Sequence, residues 1–441
     1  MVERPNIHVV GIAGSGMCAV AEASSACSYN VSGSDRYADS HTPLAVLATL
    51  KAGGCRIVPQ DGSAVQPDTH AVITSSAIEA DNPDLEAARE HGVPVYHRSE
   101  WLAKLIGSKP LLGIAGTSGK STVTAMVGWI LAQHGMNPFV VNGAAVSAWE
   151  REDRTGHVLV GSGDLWVVEL DESDKSCLHF SPLHAVITNQ STDHFPVSET
   201  ELLFRAFESK VQVSCLVGPW EHQKYRAALD GAQFVAQDTF FELPLLGKHN
   251  ADNAVASARL CEKVGISFQN SAAALRLFPG VRRRLERILP SADRYVFDDF
   301  GHNPAKIAAA IQTVRSVADA VTVVWRPHGY GPLRNMMTEL VSAFKSLATS
   351  PKSHNRHHRL LLLPVYDVGG TAQRDVQSGD LAALLKPCGV ETQCLAVYDE
   401  VVSFCDAAAV LPGDAVLVMG ARDPGLPRLA RDIAKQYDIN A

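Results

Sequence analysis

The feature that most constrains the fold is a repeated pattern in which an apolar run ends in glycines and a helical segment follows. The runs at 7–14 (IHVVGIAG) and 111–116 (LLGIAG) are each followed by a stretch of small and apolar residues that reads as a helix. Further buried-type strands, LWVVEL and HAVITNQ, continue the alternation, as do strands with polar or glycine turns nearer the C-terminus. Strands that alternate with helices predict α/β domains with mostly parallel sheets, which bind ligands at the carboxyl ends of their strands.

The length of the chain and two polar segments predict how the chain is divided into domains. A chain of 441 residues exceeds one ordinary domain, and 46% hydrophobic residues with 20% charged ones is typical of soluble globular proteins. The segments GSKP and VRRRLERILPSADR interrupt the alternation. The sequence therefore predicts a Rossmann-like domain over residues 1–107, a central P-loop ATPase-like domain with a mostly parallel sheet over 108–290, and a C-terminal Rossmann-like α/β domain over 291–441.

Charge and cysteine usage bear on partners and compartment. A formal net charge of −8 argues against general binding to nucleic acid or to an anionic membrane. No apolar run reaches transmembrane length, and the first residues lack the layout of a signal peptide. The nine cysteines include no CxxC pair, which fits free thiols in a reducing compartment. We expect a cytoplasmic monomer or homodimer with no nucleic-acid partner and no membrane insertion.

The first glycine turn is a candidate site for a diphosphate. Gly11, Gly14 and Gly16 lie between a predicted strand and a predicted helix. Glycines in such a turn let a diphosphate approach the backbone N–H groups at the helix N-terminus. Their spacing is not G-x-G-x-x-G, which disfavours a nicotinamide cofactor. Asp35 ends the second predicted strand, where its carboxylate either accepts a hydrogen bond from a ribose hydroxyl or caps the turn.

The stretch GIAGTSGKST at 113–122 resembles a phosphate-binding loop in a compact form. The standard spacing places a glycine five residues before the Gly119–Lys120 pair, and Ile114 stands there. Lys120 and Ser121 at the start of a helix nevertheless supply a cation for phosphates and a hydroxyl for Mg²⁺. A plain glycine-rich turn leaves these two residues unexplained. We therefore predict that this turn binds ATP together with Mg²⁺.

Carboxylates follow the strand LWVVEL. Glu169, Asp171, Glu172 and Asp174 lie close together there and repel one another unless they are solvated or bind cations. Strand-end carboxylates beside a phosphate loop commonly hold Mg²⁺. His194 follows the strand HAVITNQ, again at a strand end, although a lone histidine is more often structural. These positions predict a magnesium site beside the phosphate loop.

These motifs resemble those of the Mur ligase family of ATP-dependent amide-bond ligases. Matching stretches occur in the family's order over nearly the whole chain: GIAGSGM with VSGSD, TSSAIEADNP, GIAGTSGKST, ELDESD, TNQSTDHF, GKHNADNA, DDFGHNP and RPHGYG. The resemblance implies that ATP phosphorylates a carboxylate to an acyl phosphate, which an amine then attacks. It further implies that L-alanine is joined to the lactyl carboxylate of UDP-N-acetylmuramate, a step of peptidoglycan precursor synthesis in cell-wall biogenesis.

The resemblance also implies roles for individual residues. Those expected to bind ATP are Gly116, Thr117, Ser118, Gly119, Lys120, Ser121, Thr122, His249, Asn250, Asn253, Arg284 and Asp299. Those expected to bind the other substrates are Gly11, Gly14, Ser15, Gly16, Met17, Asp35, Ser75, Ser76, His328 and Arg334. The expected metal ligands are Ser121, Glu169 and His194. The residues expected to act in catalysis are Lys120, Glu169, His194, Arg284 and His302.

The loop RPHGYGPLR at 326–334 departs from the family pattern. Relatives that add alanine carry arginines in this loop for the carboxylate of the amino acid, whereas Gly329 and Pro332 occupy those positions here. Arg326, Arg334 and Arg374 are candidates to replace them. An alternative amine is therefore a murein peptide of the L-Ala-D-Glu-diaminopimelate type, attached in wall recycling.

Two other classes of function compete with ligation. A non-catalytic UDP-sugar-binding relative has no need of Lys120, Ser121, Glu169 and His194, so their presence favours an enzyme. A Rossmann oxidoreductase ranks third because the first glycine turn lacks the dinucleotide spacing. The sequence therefore favours an ATP-dependent ligase.

Overall fold

The helices and strands of the protein form two compact units. The computed structural model describes residues 4–38, 44–190, 197–288, 293–348, 356–367, 373–406 and 409–437. The first unit comprises residues 1–224, 234–243 and 248–281, and the second comprises residues 225–233, 244–247 and 282–441. Both units combine helices with mostly parallel sheets, so the α/β class predicted from the sequence is confirmed.

A five-stranded parallel sheet begins the first unit. Its strands are β1 (Asn6–Val10), β2 (Asn30–Ser34), β3 (Arg56–Val58), β4 (Ala71–Thr74) and β5 (Val95–His97). The accompanying helices are α1 (Ser15–Ala26), α2 (Ala45–Ala52), α3 (Pro83–His91) and α4 (Arg98–Ile106). The strand order is β3-β2-β1-β4-β5, so the direction of chain progression reverses between β1 and β4. In a Rossmann-like sheet this reversal is the point where ligands bind.

Local sequence explains where the helices of this sheet begin and end. The Asn82 side chain accepts a hydrogen bond from the Asp84 N–H, Pro83 occupies the first turn of α3, and Gly92 ends the helix in a left-handed conformation. His97 and Glu100 form a capping box at the start of α4. These caps fix the start of α3 after the loop that follows β4, and the start of α4 directly after β5.

A six-stranded sheet forms the centre of the first unit. The strands of this part of the chain are β6 (Leu111–Ala115), β7 (Phe139–Val141), β8 (Glu150–Arg151), β9 (Arg154–Thr155), β10 (Val158–Leu159), β11 (Trp166–Glu169), β12 (His184–Ile187) and β13 (Ser214–Val217). The sheet order is β10-β7-β11-β6-β12-β13, parallel except for β10, while β8 and β9 form a separate hairpin. The loop after β6 therefore lies between the ends of β11 and β12.

Four helices that the structure describes in the first unit accompany this sheet, and the first of them packs against its central strand, β6. They are α5 (Lys120–Gln133), α6 (Val197–Glu208), α7 (Lys248–Glu262) and α8 (Phe268–Leu275), with short 3₁₀ helices at Ser147–Trp149 and Ser176–His179. Every residue of β6 is buried, as expected for a central parallel strand covered on both faces. A small sheet of β14 (Gln223–Ala228), β15 (Gly231–Ala236) and β16 (Thr239–Leu243) follows, and its residues are divided between the two units.

The second unit contains another six-stranded sheet. Its strands are β17 (Glu286–Ile288), β18 (Tyr295–Asp299), β19 (Val321–Trp325), β20 (Arg359–Leu362), β21 (Glu391–Cys394) and β22 (Ala415–Met419). Their order is β17-β18-β22-β19-β20-β21, parallel except for β17. The helices are α9 (Pro304–Val317), α10 (Tyr330–Asn335), α11 (Met337–Lys345), α12 (Ser378–Leu385), α13 (Tyr398–Phe404) and α14 (Leu426–Lys435), with 3₁₀ helices at Ser346–Ala348 and Lys386–Cys388.

The three large sheets occupy successive stretches of the chain, as the predicted fold class requires. The main stretch of the second unit begins at residue 282. The domain limits at residues 107 and 290 remain predictions, and residue 290 lies outside the described residues.

Candidate active site

The turn after β6 has a shape that only glycines allow at two positions. Gly116 has a φ of 127°, and a β-carbon on it would stand 2.1 Å from the Thr188 hydroxyl oxygen. Gly119 has a φ of 85°, and a β-carbon there would stand 2.5 Å from Asn253 Oδ1. Because a side chain fits neither the dihedral angle nor the space, both glycines are required for this turn. We call residues 116–121 the phosphate loop.

The end of β12 holds the outer part of the phosphate loop. The N–H groups of Thr117 and Ser118 donate to the Asn189 backbone oxygen (3.2 Å) and to Asn189 Oδ1 (3.1 Å). The Ser118 carbonyl accepts from the Thr188 hydroxyl (2.6 Å) and from Asn189 Nδ2 (2.8 Å). Helix α5 then begins at Lys120 with no side-chain cap, and Thr122 is buried in its first turn. A rigid loop leading into an uncapped helix N-terminus suits an anion such as a phosphate.

Lys120 lies among carboxylates at the end of β11. Its Nζ donates to Glu172 Oε2 at 2.5 Å and to the Gly116 carbonyl at 2.9 Å, and it lies 4.0 Å from Asp171 Oδ1. Although burial favours the neutral amine, Glu172, Asp171 and Glu169 together raise the pKa of Lys120. Burial also raises the pKa of Glu172 despite its pairing with Lys120. The loop therefore presents a fixed positive charge beside the uncapped helix.

Two of the expected metal ligands, Ser121 and Glu169, lie within hydrogen-bonding distance of each other. The Ser121 hydroxyl donates to Glu169 Oε1 at 3.1 Å, and the Gly143 N–H donates to Glu169 Oε2 at 2.6 Å. A β-carbon on Gly143 would stand 2.6 Å from the same carboxylate. His194, the third expected ligand, lies outside the described residues. Within the described ranges, no group of three or more His, Cys, Asp or Glu side chains has the arrangement of a metal site.

The residues around the phosphate loop fit a magnesium–nucleotide ligand. Glycines leave room for phosphates, and the α5 N-terminus and Lys120 supply donors and positive charge. Buried Glu172 Oε1 makes no hydrogen bond among the described residues, so the acidic side of the site has unused acceptor capacity. Hydroxyl and carboxylate oxygens, such as those of Ser121 and Glu169, are the donors Mg²⁺ prefers, and Mg²⁺ takes its remaining ligands from water and phosphate.

Helix α7 places two buried asparagines beside the phosphate loop. Asn253 Nδ2 donates to Asn250 Oδ1 at 3.1 Å, and Asn253 Oδ1 faces Gly119. His249 precedes them in the first turn of α7 and is exposed. The structure therefore brings Asn253 against the loop, with Asn250 behind it, while the expected contact of these residues with adenine stays a prediction.

The first glycine turn is fixed by backbone hydrogen bonds to the end of β2. Gly11 has a φ of 71°, and the N–H groups of Gly11 and Ile12 both donate to the Ser34 carbonyl. Asp35 is buried, and its two carboxylate oxygens accept from the N–H groups of Ala13 and Tyr37, each at 3.0 Å. Asp35 thus performs the capping role that the sequence left open. Its expected contact with a ribose stays a prediction.

The other residues expected to bind the nucleotide sugar surround this turn. Gly14 is the N-cap of α1 and has no side-chain capping bond, and Ser15, Gly16 and Met17 form the first turn of the helix. Half-buried Ser75 and exposed Ser76 follow β4, the neighbour of β1. The two loops touch, because a β-carbon on Gly11 would stand 2.9 Å from the Ile78 side chain. These positions line the reversal point of the sheet, where Rossmann-like folds bind ligands.

In the second unit, Asp299 and Arg284 lie beside the end of β18. Asp299 accepts from the Leu285 N–H at 2.8 Å and from the Gly301 N–H at 2.7 Å. Burial raises the pKa of Asp299 although these two hydrogen bonds oppose it. The Arg284 guanidinium lies 5.7 Å from the centre of the Phe300 ring. Asp299 therefore shapes the backbone around Arg284 and Phe300.

Two histidines converge from the loops after β18 and β19. His302 Nδ1 donates to the Phe300 carbonyl at 3.0 Å, and the rings of His302 and His328 lie 5.1 Å apart at 78°. Burial, together with the smaller effects of the neighbouring charges of His302 and Arg422, lowers the pKa of His328 to about 4. His328 is therefore a neutral imidazole near neutral pH.

The three arginines considered as replacements for a carboxylate clamp already have carboxylate partners. Arg334 donates to the Gln373 carbonyl at 2.9 Å and pairs with Asp375. The other two pairs are Arg326 with Asp423 at 2.6 Å and Arg374 with Asp367 at 2.7 Å. Any of these arginines would have to share or exchange its partner in order to bind the carboxylate of an amino acid.

Sequence reasoning missed three residues that shape the site. Asn189 fixes the phosphate loop, and its position directly after a strand of the central sheet was an available signal. Glu172 is the ion-pair partner of Lys120 rather than simply one member of an acidic run. Arg98 contacts the acidic residues after β11 from far away in sequence, and no local pattern marks it.

Two family descriptions match the chain. Residues 6–109 match the description "Mur ligase family, catalytic domain", and residues 283–422 match "Mur ligase, glutamate ligase domain". The UDP-N-acetylmuramate–L-alanine ligase of Anaeromyxobacter sp. (strain Fw109-5) is 33% identical, over 95% of this chain and 96% of the relative. The enzyme of the same name from Rhizobium meliloti (strain 1021) is 30% identical, over 94% of this chain and 93% of the relative. The chain belongs to the Mur ligase family.

Solved structures show the same fold. The UDP-N-acetylmuramate–alanine ligase of Thermotoga maritima matches with a TM-score of 0.79 at 24% identity, over 99% of this chain and 100% of that one. A murein peptide ligase of Psychrobacter arcticus matches with a TM-score of 0.65 at 20% identity, with the same coverage. In the part of the chain that the structure describes, no helix has the length and apolar character needed to cross a membrane.

Proposed function

We propose that the protein is an ATP-dependent ligase that joins L-alanine to the lactyl carboxylate of UDP-N-acetylmuramate, in peptidoglycan precursor synthesis. The observation that carries this proposal is the phosphate loop, where Lys120, the uncapped α5 helix and the Ser121–Glu169 pair converge. The near full-length similarity to ligases named for this reaction supports the choice of substrates.

The reaction needs charge stabilisation and positioning more than a covalent nucleophile. A lactyl carboxylate oxygen attacks the γ-phosphorus of ATP, so that ADP leaves and an acyl phosphate forms. The amine nitrogen then attacks the acyl carbon, the amide bond forms, and inorganic phosphate leaves. Lys120 and the N–H groups at the start of α5 are suited to stabilise negative charge on the transferred phosphoryl group. Ser121 and Glu169 would hold a Mg²⁺ ion, which when bound would neutralise phosphate charge.

The remaining residue roles belong to the same proposal. The first glycine turn, with Asp35, Ser75 and Ser76, would bind the UDP part of the sugar, because its uncapped helix and flanking loops suit a diphosphate. His194 would be a further metal ligand. Arg284, Asp299 and His302 would serve the ATP reaction, and His328 and Arg334 the incoming amine. The three-domain division at residues 107 and 290 is also part of the proposal, as are a cytoplasmic location and a monomeric or homodimeric state.

A second amine follows from a specific observation in the second unit. Gly329 and Pro332 stand where arginines are expected in alanine-adding relatives, and Arg326, Arg334 and Arg374 are each paired with a carboxylate. A carboxylate that binds without a bidentate partner loses a strong, charge-assisted interaction. A murein peptide is therefore the second candidate, because contacts along its length would replace that interaction.

A substrate screen tests the proposal. The purified protein is supplied with ATP, Mg²⁺ and UDP-N-acetylmuramate, and phosphate release and product mass are measured with each amino acid and with murein peptides. We expect phosphate release with L-alanine and a product whose mass equals that of the two substrates less one water. Release with a tripeptide but not with L-alanine would establish the second candidate. No amine-dependent release, with intact folding by circular dichroism, would overturn the ligase assignment.

A further inference from the structure

The acidic loop, which we define as Asp171, Glu172 and Asp174, places two of its three carboxylates beside the lysine of the phosphate loop. Glu172 pairs with Lys120, and Asp171 Oδ1 lies 4.0 Å from the same ammonium group. A nucleotide triphosphate that enters this site carries several negative charges. Because like charges repel at these distances, the acidic loop has to be neutralised for phosphates to bind beside it.

Arg98 supplies a second cation to this loop. Its Nη2 donates to Asp171 Oδ2 at 3.0 Å and to Asp174 Oδ2 at 3.1 Å. The Arg98 side chain is 24% exposed and that of Asp174 is 15% exposed, so solvent screens this cluster less than it would a surface ion pair. Asp171 Oδ2 accepts from Arg98, while Asp171 Oδ1 lies 4.0 Å from Lys120 Nζ. Asp171 therefore bridges Arg98 and Lys120.

The start of α4 holds Arg98 in place. The residue before it, His97, lies with Nε2 3.5 Å from Asp174 Oδ2. The residue after it, Ser99, shares a hydrogen bond of 2.8 Å with His179 Nδ1 in the 3₁₀ helix that follows the acidic loop. Contacts on both sides fix the backbone of Arg98 against the loop, so the guanidinium has little freedom to leave its two carboxylates.

We propose that Arg98 is a positioning residue for phosphoryl transfer. It neutralises Asp171 and Asp174 and holds the acidic loop so that Lys120 faces the phosphates of ATP. Arg98 acts through these carboxylates, and no contact between it and ATP is required. The inference rests on the proposed function, because it assumes that ATP binds at the phosphate loop.

Nucleotide binding without the sugar substrate isolates this role. Binding of the magnesium complex of AMP-PNP is measured by isothermal titration calorimetry for the wild type, Arg98→Gln and Arg98→Lys. We expect Arg98→Gln to weaken binding about tenfold, because one compensating charge is lost near the phosphates. Arg98→Lys should keep most of the affinity. Arg56→Gln removes an exposed arginine at the start of β3 and is the matched control, which should bind like the wild type.

A charge-suppression variant separates electrostatic positioning from simple packing. In Arg98→Gln/Asp171→Asn/Asp174→Asn the carboxylates that Arg98 neutralises are themselves neutral, so nucleotide affinity should return to within a few-fold of the wild type. Equal binding by Arg98→Gln and the wild type would overturn the inference, and so would a triple variant as weak as Arg98→Gln. If Arg98→Gln does not fold, the triple variant is compared with the wild type alone. An affinity within a few-fold of the wild type then supports the inference, and a weaker one overturns it. Absence of nucleotide binding by the wild type would instead count against the proposed function.

Discussion

The tetrapeptide GIAG occurs twice in the first unit, at 11–14 and 113–116, and it folds differently in the two places. In the first copy β1 ends at Val10, and Gly11 already has a φ of 71°. In the second copy β6 continues to Ala115, and only Gly116 leaves the strand, with a φ of 127°. The same four residues therefore form a turn in one place and mostly strand in the other.

Neighbouring elements account for the difference. In the second copy, Gly113 pairs on both sides, with Val168 of β11 and Ala185 of β12, and this pairing extends the strand. In the first copy, the N–H groups of Gly11 and Ile12 both donate to the Ser34 carbonyl, which ends the regular ladder. Helix α1 then begins one residue after its GIAG copy, whereas α5 begins four residues after its own. The longer second turn has room for the phosphate loop, which carries Lys120.

The largest effect is expected when the positive charge of Lys120 is removed, a charge that the second glycine turn carries and the first does not. Lys120→Met should lower phosphate release in the ligase assay about 10²–10³-fold, because it removes a preorganised cation from the developing charge on the phosphoryl group. Lys51→Met removes an exposed lysine from the last turn of α2 and serves as the control. A Lys120→Met enzyme that kept a tenth of the wild-type rate would remove the functional distinction between the two turns.

A smaller effect is expected when the carboxylate near each glycine turn is replaced, namely Glu169 near the second turn and Asp35 near the first. Glu169→Gln should raise the Mg²⁺ concentration for half-maximal activity about 10–100-fold, because it removes one charged oxygen ligand. Asp35→Asn should leave that Mg²⁺ concentration unchanged and raise the KM for UDP-N-acetylmuramate, because Asp35 orders the first turn. Magnesium titrations of both variants check this. An equal shift in the two titrations would show that the two carboxylates do not divide their roles as proposed.

An effect of pH on stability is expected at His157, which lies against α1, the helix that follows the first glycine turn. His157 Nδ1 lies 3.6 Å from Cys18 Sγ on α1 and 2.9 Å from the Thr155 hydroxyl, and burial lowers the pKa of His157 from 6.5 to about 4, although Glu150 opposes this. The folded state therefore keeps the imidazole neutral. Its stabilising contribution is complete above pH 6.5 and is lost as the pH falls from 6.5 toward 4. At pH 5 the loss is at most about 2 kcal/mol.

His157→Gln checks this pH effect. The free energy of unfolding in urea is measured at pH 7.5 and at pH 5.0 for the wild type and the variant. The wild type should lose more stability on acidification than the variant, by up to about 2 kcal/mol. The same loss in both proteins would mean that His157 does not resist protonation in the folded state.

The smallest effect tests why each GIAG copy needs its first glycine. Gly11 has a left-handed φ, which asparagine tolerates better than alanine, so Gly11→Asn should be more stable than Gly11→Ala by about 1 kcal/mol or less. At Gly113 a β-carbon would stand 2.8 Å from both Leu170 and Pro182, so space is limiting and the larger asparagine should be the worse substitution. Thermal unfolding of Gly11→Asn, Gly11→Ala, Gly113→Asn and Gly113→Ala gives the order of stability of the two substitutions at each position. The same order at both positions would contradict this explanation.

The positions of the residues around the phosphate loop could be predicted as far as they follow from the order of the strands. Glu169 ends one apolar strand, and Lys120 and Ser121 follow the neighbouring strand after a short turn. Parallel strands bring such positions together, as the 3.1 Å contact of Ser121 with Glu169 shows. The sequence leaves two roles open for Asp35, a ribose contact or a turn cap. The capping role follows only from its contacts with the Ala13 and Tyr37 N–H groups in the structure. The ion pair of Lys120 with Glu172 and the reach of Arg98 depend on side-chain directions, which periodicity does not specify.

The sequence by itself determined the α/β class, the positions of both glycine turns and the family. These follow from local patterns, namely apolar strands, glycines before helices and motifs in a fixed order. Tertiary structure alone decided where each GIAG copy stops being strand, because strand length depends on pairing with neighbours distant in sequence. It also decided that Arg98 lies beside Asp171, 73 residues later in the chain. Such a contact leaves no local trace, because it depends on how α4 packs against the loop after β11 and not on any pattern within either segment.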